Sequence, residues 1–343
     1  MDAPVTRPEP GTLRDDGAFA PPPWLGNPHV QSVLPSLRWR RPLLAWRARD
    51  LLACAETQIV DCGDDVRLLG HYSSQAALGR PEARDLVILL HGWEGSAESL
   101  YVLSLGAYLF ERGFDVWRLN FRDHGPSHHL NEEIFHSCRI AEVVGAVRCI
   151  QRRHPERRVF LAGFSLGGNF ALRVAARAPE AGIRLERVVA ICPVLRPHST
   201  LEALERGWFV YEQYFLAKWK RSLRIKQRCF PDRYDFSDIL AERSIKAMTE
   251  VMVERYSEFR SLDEYLNGYS IVGEALARLD VPSHIVLSLD DPIIPARDLA
   301  DVARTPALEV TTLDKGGHCG FMDGFNRESW ADRYVARLLG CAS

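Results

Sequence analysis

A serine flanked by glycines stands at residues 163–167, which read GFSLG and match the pattern G-x-S-x-G. A free serine hydroxyl is a poor nucleophile, and a sharp strand-to-helix turn exposes its oxygen to a base. Residues 158–162 resemble a short buried strand, and the apolar residues of 168–178 recur at helical spacing. This context favours Ser165 as a nucleophile over an ordinary turn that contains a serine. The backbone N–H of Leu166, at the start of the helix, is a candidate donor to an oxyanion.

Two later loops carry an acid and a histidine. The strand-like residues 284–287 lead into adjacent aspartates, Asp290 and Asp291, and the strand-like residues 308–313 lead into His318. In a serine hydrolase the histidine takes the serine proton, and a carboxylate orients its ring. Adjacent side chains point in different directions, so only one of the two aspartates should reach His318.

The strand-like residues 85–90 run into a loop at 91–96 that reads HGWEGS. Glycine in such a loop lets the backbone approach a substrate, so the N–H of Trp93 is the second candidate oxyanion donor. His91 is expected to be structural, because His318 already supplies the base.

Cys319 directly follows His318 and is a rival nucleophile. We expect its side chain to point away from that of His318, because neighbouring side chains alternate along an extended loop.

Together these motifs resemble those of the α/β-hydrolases and, within them, the YheT-like subfamily. The resemblance extends over almost the whole chain and is carried by Trp24–Ser32, His91–Ser96, Asn120–Arg122, Gly163–Asn169, Asp290–Pro292 and Gly316–Phe321. It implies the chain order serine, acid, histidine, and an acid loop in which a proline soon follows the aspartate; this favours Asp291 over Asp290.

One loop departs from the subfamily pattern. Where members usually read Asn-Phe-Arg-Gly-Cys-Ser-Gly, this chain reads NFRDHGPS at 120–127. We expect this difference to affect which substrate is bound more than it affects catalysis. The resemblance implies a leaning towards acylglycerol or phospholipid-like esters.

The alternation of strand-like and helical segments predicts an α/β fold, namely an α/β-hydrolase fold with a mostly parallel sheet and helices on both faces. Residues 58–194 and 277–343 are the two predicted parts of the core. The interval between the strands near 190 and 284 far exceeds the roughly dozen residues of a simple crossover, so 195–276 is predicted to be a helical cap. Residues 1–57 are expected to pack on the core as an extension, with a loosely ordered, proline-rich start up to residue 23.

The predicted cap carries aromatic residues that include Trp208 and Phe215. Their helical spacing is typical of residues that pack a cap onto a core, and the alternative is that these two wall an acyl pocket over Ser165. Residues 218–228 then place six basic residues among apolar ones. That pattern fits a solvated helix face, or a surface that docks on an anionic membrane.

Composition agrees with a globular enzyme of 343 residues, 46% of them hydrophobic, with a net charge of -2. That charge gives no reason to expect a nucleic-acid partner. The sequence shows no transmembrane span of ~18 apolar residues and no signal peptide, and the eight cysteines lack zinc-finger spacing, so we expect a cytoplasmic protein with reduced thiols.

The expected activity is hydrolysis of carboxylic esters through an acyl-enzyme at Ser165, with a small-molecule ester or lipid as substrate and no metal or organic cofactor. A serine at the turn excludes the dehalogenases and epoxide hydrolases of the same fold, which use aspartate there. Thioesters and amides, including a peptidase activity, remain alternatives, as does a non-catalytic binding scaffold. The sequence leaves the oligomeric state open.

Overall fold

The computed structural model describes residues 12–14, 19–324 and 328–341. The strands of these residues are β1 (Thr12–Arg14), β2 (Ala55–Asp61), β3 (Arg67–Ser73), β4 (Asp85–Leu90), β5 (Asp115–Asn120), β6 (Arg158–Phe164), β7 (Arg187–Ile191), β8 (Ser283–Ser288) and β9 (Leu308–Leu313). They form one sheet in the order β1-β9-β8-β7-β6-β4-β5-β3-β2. Pairing is parallel from β1 to β5 along this order, and β3 and β2 extend the sheet as antiparallel strands. The predicted mostly parallel sheet is confirmed.

The helices of the described residues are α1 (Pro28–Val33), α2 (Arg41–Arg47), α3 (Arg49–Ala53), α4 (Leu100–Phe110), α5 (Ile140–Arg153), α6 (Leu166–Arg177), α7 (Pro197–Arg206), α8 (Phe209–Cys229), α9 (Ser237–Ala241), α10 (Ile245–Tyr256), α11 (Leu262–Asn267) and α12 (Trp330–Leu338). Within this set, no helix has both the length and the apolar character that crossing a membrane requires.

The sheet is covered on both faces, and β4 shows how. Leu86, Ile88 and Leu90 belong to a hydrophobic cluster shared with α5 and α6. The alternate residues Val87 and Leu89 belong to a second cluster, shared with α4 and α12. Side chains alternate between the faces of a strand, so burial on both faces accounts for the uninterrupted apolar run at 86–90 of β4.

Helices α7 to α11 lie between β7 and β8 in the chain, and their buried residues join the same cluster as α5 and α6. The two aromatic residues singled out in this segment belong to the same helix: Trp208 is the N-cap of α8, and Phe215 lies in its second turn. Gly207, with an extended backbone, ends α7 before α8 begins, and a Cβ there would lie 2.4 Å from the carbonyl oxygen of Ala203.

The division of the chain into domains at 57, 194 and 276 stays a prediction. The first boundary falls inside β2, which begins at Ala55. Strand β1 of the N-terminal segment pairs with β9 of the core. Most of the proline-rich start, for which loose order is predicted, lies outside the described residues.

Candidate active site

Ser165 lies at the turn between β6 and α6, with a φ of 54° and a ψ of −120°. Such a conformation is strained for a residue with a side chain. The glycines on either side make the turn sterically feasible: a Cβ on Gly163 would lie 2.2 Å from the oxygen of Gly167, and one on Gly167 would lie 2.5 Å from the oxygens of Leu90 and His91. The glycines of the G-x-S-x-G pattern therefore allow β6, α6 and the end of β4 to pack closely around Ser165.

The side chains of Asp291 and His318 meet directly. The Nδ1 atom of His318 lies 2.8 Å from Oδ2 of Asp291, whose side chain is completely buried. The other carboxylate oxygen accepts the backbone N–H groups of Ile293 and Ile294 at 2.8 and 2.9 Å. Because a carboxylate accepts hydrogen bonds, Nδ1 carries a proton in either charge state, and in the neutral imidazole the lone pair is on Nε2.

Burial alone would lower the pKa of His318, but the charges of Asp291 and Cys319 outweigh burial and raise that pKa well above its usual value.

Asp290 has a different role from its neighbour. Its Oδ1 accepts the backbone N–H of Gly317 at 2.9 Å and the hydroxyl of Ser288. The structure therefore brings Asp291, and not Asp290, to the imidazole of His318. Asp290 instead fixes the backbone of the loop that carries the histidine.

Cys319 does not point away from His318, so that expectation is wrong. Its Sγ lies 3.9 Å from Nε2 of His318, and its N–H donates to Sγ of Cys192 at 3.4 Å. The loop is not extended: Gly317, Cys319 and Phe321 all have positive φ, which turns the backbone back on itself. Burial alone would raise the pKa of the Cys319 thiol, but hydrogen bonding to Cys192 and the charge of His318 lower it.

The serine turn and the histidine loop meet at the end of β7. The carbonyl oxygen of Ile191 accepts the N–H of Ser165 at 2.8 Å, and Sγ of Cys319 lies 3.7 Å from the same oxygen. The carboxyl ends of parallel strands β6, β7 and β8 lie side by side, which is where ligands bind in open α/β sheets.

The loop at 91–96 passes close to Ser165, since a Cβ on Gly92 would lie 3.3 Å from the Cβ of Ser165. His91 is buried, and its Nδ1–H donates to the oxygen of Gly92 at 2.7 Å while its Nε2 accepts the N–H of Phe121 at 3.2 Å. Burial lowers the pKa of His91 to about 4. Both ring nitrogens are occupied, which is the structural role expected for this histidine.

The two aromatic residues predicted as pocket walls are in different surroundings. The ring of Phe215 stacks on Trp93 at a centroid distance of 5.3 Å. The ring of Trp208 lies 5.1 Å from that of His29, and 41% of this residue is exposed. Phe215 therefore touches the loop of the candidate oxyanion donor, whereas Trp208 lies at the protein surface.

The N-terminal segment holds the histidine loop. The N–H of His318 donates to the Ser32 hydroxyl at 2.8 Å. The buried Gln31 accepts the N–H of Met322 at 2.8 Å and donates to the oxygen of the same residue at 2.8 Å. A Cβ on Gly320 would lie 2.2 Å from the oxygen of Gln31, which explains why that position requires glycine. Ser32 lies in the Trp24–Ser32 motif of the subfamily, but the sequence carries no signal of its contact with the histidine loop.

The loop that departs from the subfamily pattern anchors α8. Asp123 pairs with Nζ of Lys226 at 2.9 Å, and only 1% of that lysine side chain is exposed. Nε2 of His124 accepts the N–H of Glu94 at 3.2 Å, and Lys218 donates to the oxygen of Glu94 at 3.0 Å. Lys218 and Lys226 thus bind other parts of the protein. Neither a solvated helix face nor a membrane-docking surface would place them there.

A family model described as alpha/beta hydrolase fold matches residues 85–325. YheT of Escherichia coli (strain K12), a candidate esterase by its name, is 23% identical over 98% of this chain and 97% of its own length. Monoacylglycerol lipase ABHD2 of Danio rerio is 25% identical over 73% of this chain and 63% of its own length. The esterase PF2001 of Pyrococcus furiosus shares the fold with a TM-score of 0.52 over 83% of this chain and 89% of that chain, at 17% identity. The chain therefore belongs to the α/β-hydrolase fold family, and its similarity to YheT extends over nearly its whole length.

Proposed function

We propose that this protein hydrolyses carboxylic esters with Ser165 as nucleophile, His318 as general base and Asp291 as the group that orients the base. The observation that carries the proposal is the 2.8 Å hydrogen bond between Asp291 and Nδ1 of His318, in a loop that meets the serine turn at the end of β7. The esterase and lipase names of the relatives support ester hydrolysis in general.

The reaction begins when Oγ of Ser165 attacks the carbonyl carbon of the ester while Nε2 of His318 takes the hydroxyl proton. The resulting oxyanion accepts hydrogen bonds from the N–H groups of Trp93 and Leu166. Leu166 is the first residue of α6, so its N–H has no partner within the helix. Removing one such donor typically costs about 10²–10³ in rate.

The tetrahedral intermediate then collapses, the bond to the leaving alcohol breaks, and His318 returns the proton to the alcohol oxygen. The acyl group stays on Ser165 as an ester. A water molecule attacks that ester, His318 takes a proton from the water, and the acid leaves as Ser165 recovers its proton. Throughout, the carboxylate of Asp291 stabilises the imidazolium.

We assign the role of cap to residues 195–276, with an acyl pocket walled in part by Phe215. The stacking of Phe215 on Trp93 supports this assignment, because it sets an apolar ring from α8 beside the proposed oxyanion loop. A monoacylglycerol lipase among the relatives, together with the YheT-like character, supports an ester with an acyl chain.

The test is hydrolysis of p-nitrophenyl esters from acetate to palmitate by the wild type, Ser165→Ala and Cys319→Ser. We expect Ser165→Ala to lose turnover on every ester and Cys319→Ser to retain it. Retained turnover in Ser165→Ala with loss in Cys319→Ser would transfer the role of nucleophile to the cysteine. A wild type that is inactive on esters, thioesters and amides would favour a binding scaffold.

A further inference from the structure

Two cysteines lie next to the proposed base, and the three side chains together could hold a metal ion. Sγ of Cys192, Sγ of Cys319 and a ring nitrogen of His318 all lie within 4.8 Å of one another. Tetrahedral Zn²⁺ has ligand bonds of about 2.0–2.3 Å, which separates neighbouring sulfur and nitrogen ligands by about 3.6 Å. The separation between Cys319 Sγ and His318 Nε2 is 3.9 Å, close to that requirement.

From this geometry we propose that Cys192, Cys319 and His318 bind a soft divalent metal ion, such as Zn²⁺ or Cd²⁺, and that the bound ion inhibits the enzyme. Two thiolates and an imidazole prefer such ions to Mg²⁺ or Ca²⁺. The inhibitory part rests on the proposed function, because the ion takes the Nε2 lone pair that would otherwise accept the serine proton. Each ligand atom that still carries a proton releases it to solvent when the ion binds.

The surroundings of the three ligands fit a metal site. The other ring nitrogen of His318 is hydrogen-bonded to Asp291 at 2.8 Å, an arrangement that also orients histidine ligands in zinc proteins. The N–H of Cys319 donates to Sγ of Cys192 at 3.4 Å, which holds the two cysteine ligands next to each other. Three protein ligands leave a fourth position for water, as in open zinc sites.

The first measurement is titration of the phosphine-reduced protein with Cd²⁺, followed by the ultraviolet thiolate-to-Cd²⁺ charge-transfer band. We expect one tight site in the wild type and in Ser165→Ala. Affinity should fall by at least about tenfold in Cys192→Ser and in Cys319→Ser. Cys229→Ser, which changes an exposed cysteine, is the matched control and should bind like the wild type. An unchanged titration in the double variant Cys192→Ser/Cys319→Ser would overturn the proposal.

Cys192 is buried, so its replacement can disturb folding. A second measurement therefore uses the wild type and Cys319→Ser alone: Cd²⁺ should raise the Tm of the wild type, since a ligand of the native state stabilises it, and should raise that of Cys319→Ser less. Equal shifts in both would contradict the site.

The activity measurement separates this proposal from the proposed function. Zn²⁺ should inhibit hydrolysis of p-nitrophenyl acetate reversibly, Mg²⁺ should not, and Cys319→Ser should need at least about tenfold more Zn²⁺. Tight Cd²⁺ binding by a protein that hydrolyses no ester would support the metal site and contradict the proposed function. If the protein hydrolyses esters and its cysteine variants bind Cd²⁺ like the wild type, the proposed function is supported and the metal site is contradicted.

Discussion

The backbone N–H of His318 donates a hydrogen bond of 2.8 Å to the hydroxyl of Ser32, a residue 286 positions earlier in the chain. The same hydroxyl donates to the oxygen of Pro28 at 2.7 Å, so one side chain joins α1 to the loop of the proposed base. Positioning of this base therefore depends on the N-terminal segment as well as on the sheet.

Ser32→Ala should lower kcat by about fivefold with little change in KM, because losing a hydrogen bond worth about 1 kcal/mol loosens the histidine loop. Ser32→Thr keeps a hydroxyl and should restore most of the rate. Steady-state kinetics on p-nitrophenyl acetate measure both. A kcat of Ser32→Ala equal to that of the wild type would show that the contact does not position His318.

Asp291→Asn and Asp290→Asn should differ sharply although the residues are neighbours. Losing the carboxylate that orients the imidazole should lower kcat by about 10⁴-fold, as expected for the acid of a triad. Asn at position 290 keeps an oxygen that can accept the N–H of Gly317, so this variant should lose less than about tenfold. The same assay on both purified variants checks this, and a larger loss at 290 would reverse the assignment.

The pH profile should respond to Cys319. A general base must be unprotonated, so kcat/KM should rise as the pH increases through the pKa of His318. Burial lowers this pKa, but the charges of Asp291 and Cys319 outweigh burial and raise it. Cys319→Ser removes one of these charges and lowers that pKa, so the ascending limb should move to lower pH. Cys229→Ser should leave the limb in place. Movement of the limb to higher pH in Cys319→Ser would refute this electrostatic coupling.

Phe215→Ala should impair long acyl chains selectively. The ring stacks on Trp93, and its loss should cost about tenfold more on palmitate than on acetate esters if it walls the acyl pocket. Trp208→Ala tests the second predicted wall in the same series. Phe209→Ala is the control, since 68% of that residue is exposed. An equal loss on all chain lengths would mean that Phe215 only packs α8 onto the core.

Much of the fold could be predicted from local sequence patterns. The apolar run of β6, the glycines around Ser165 and the helical spacing of α6 each have a local physical cause, so the turn could be predicted without any long-range contact. The same holds for β4 and β8, whose apolar runs at 86–90 and 285–287 reflect burial on both faces of a parallel sheet.

Contacts between distant segments could not be predicted from local sequence patterns. Ser32 shows no local sign of its bond to His318, and the burial of Lys226 depends on Asp123, 103 residues away. The orientation of Cys319 follows from positive φ at non-glycine residues, a conformation that residue type disfavours and only tertiary packing imposes.

The nucleophile can be identified by treating the wild-type protein with a fluorophosphonate probe and locating the adduct by peptide mass spectrometry. We predict a single adduct on Ser165 that is absent when His318 is replaced by alanine, because the serine then lacks its base. An adduct on Cys319 instead, or no adduct on a protein that still hydrolyses esters, would show that Ser165 is not the nucleophile.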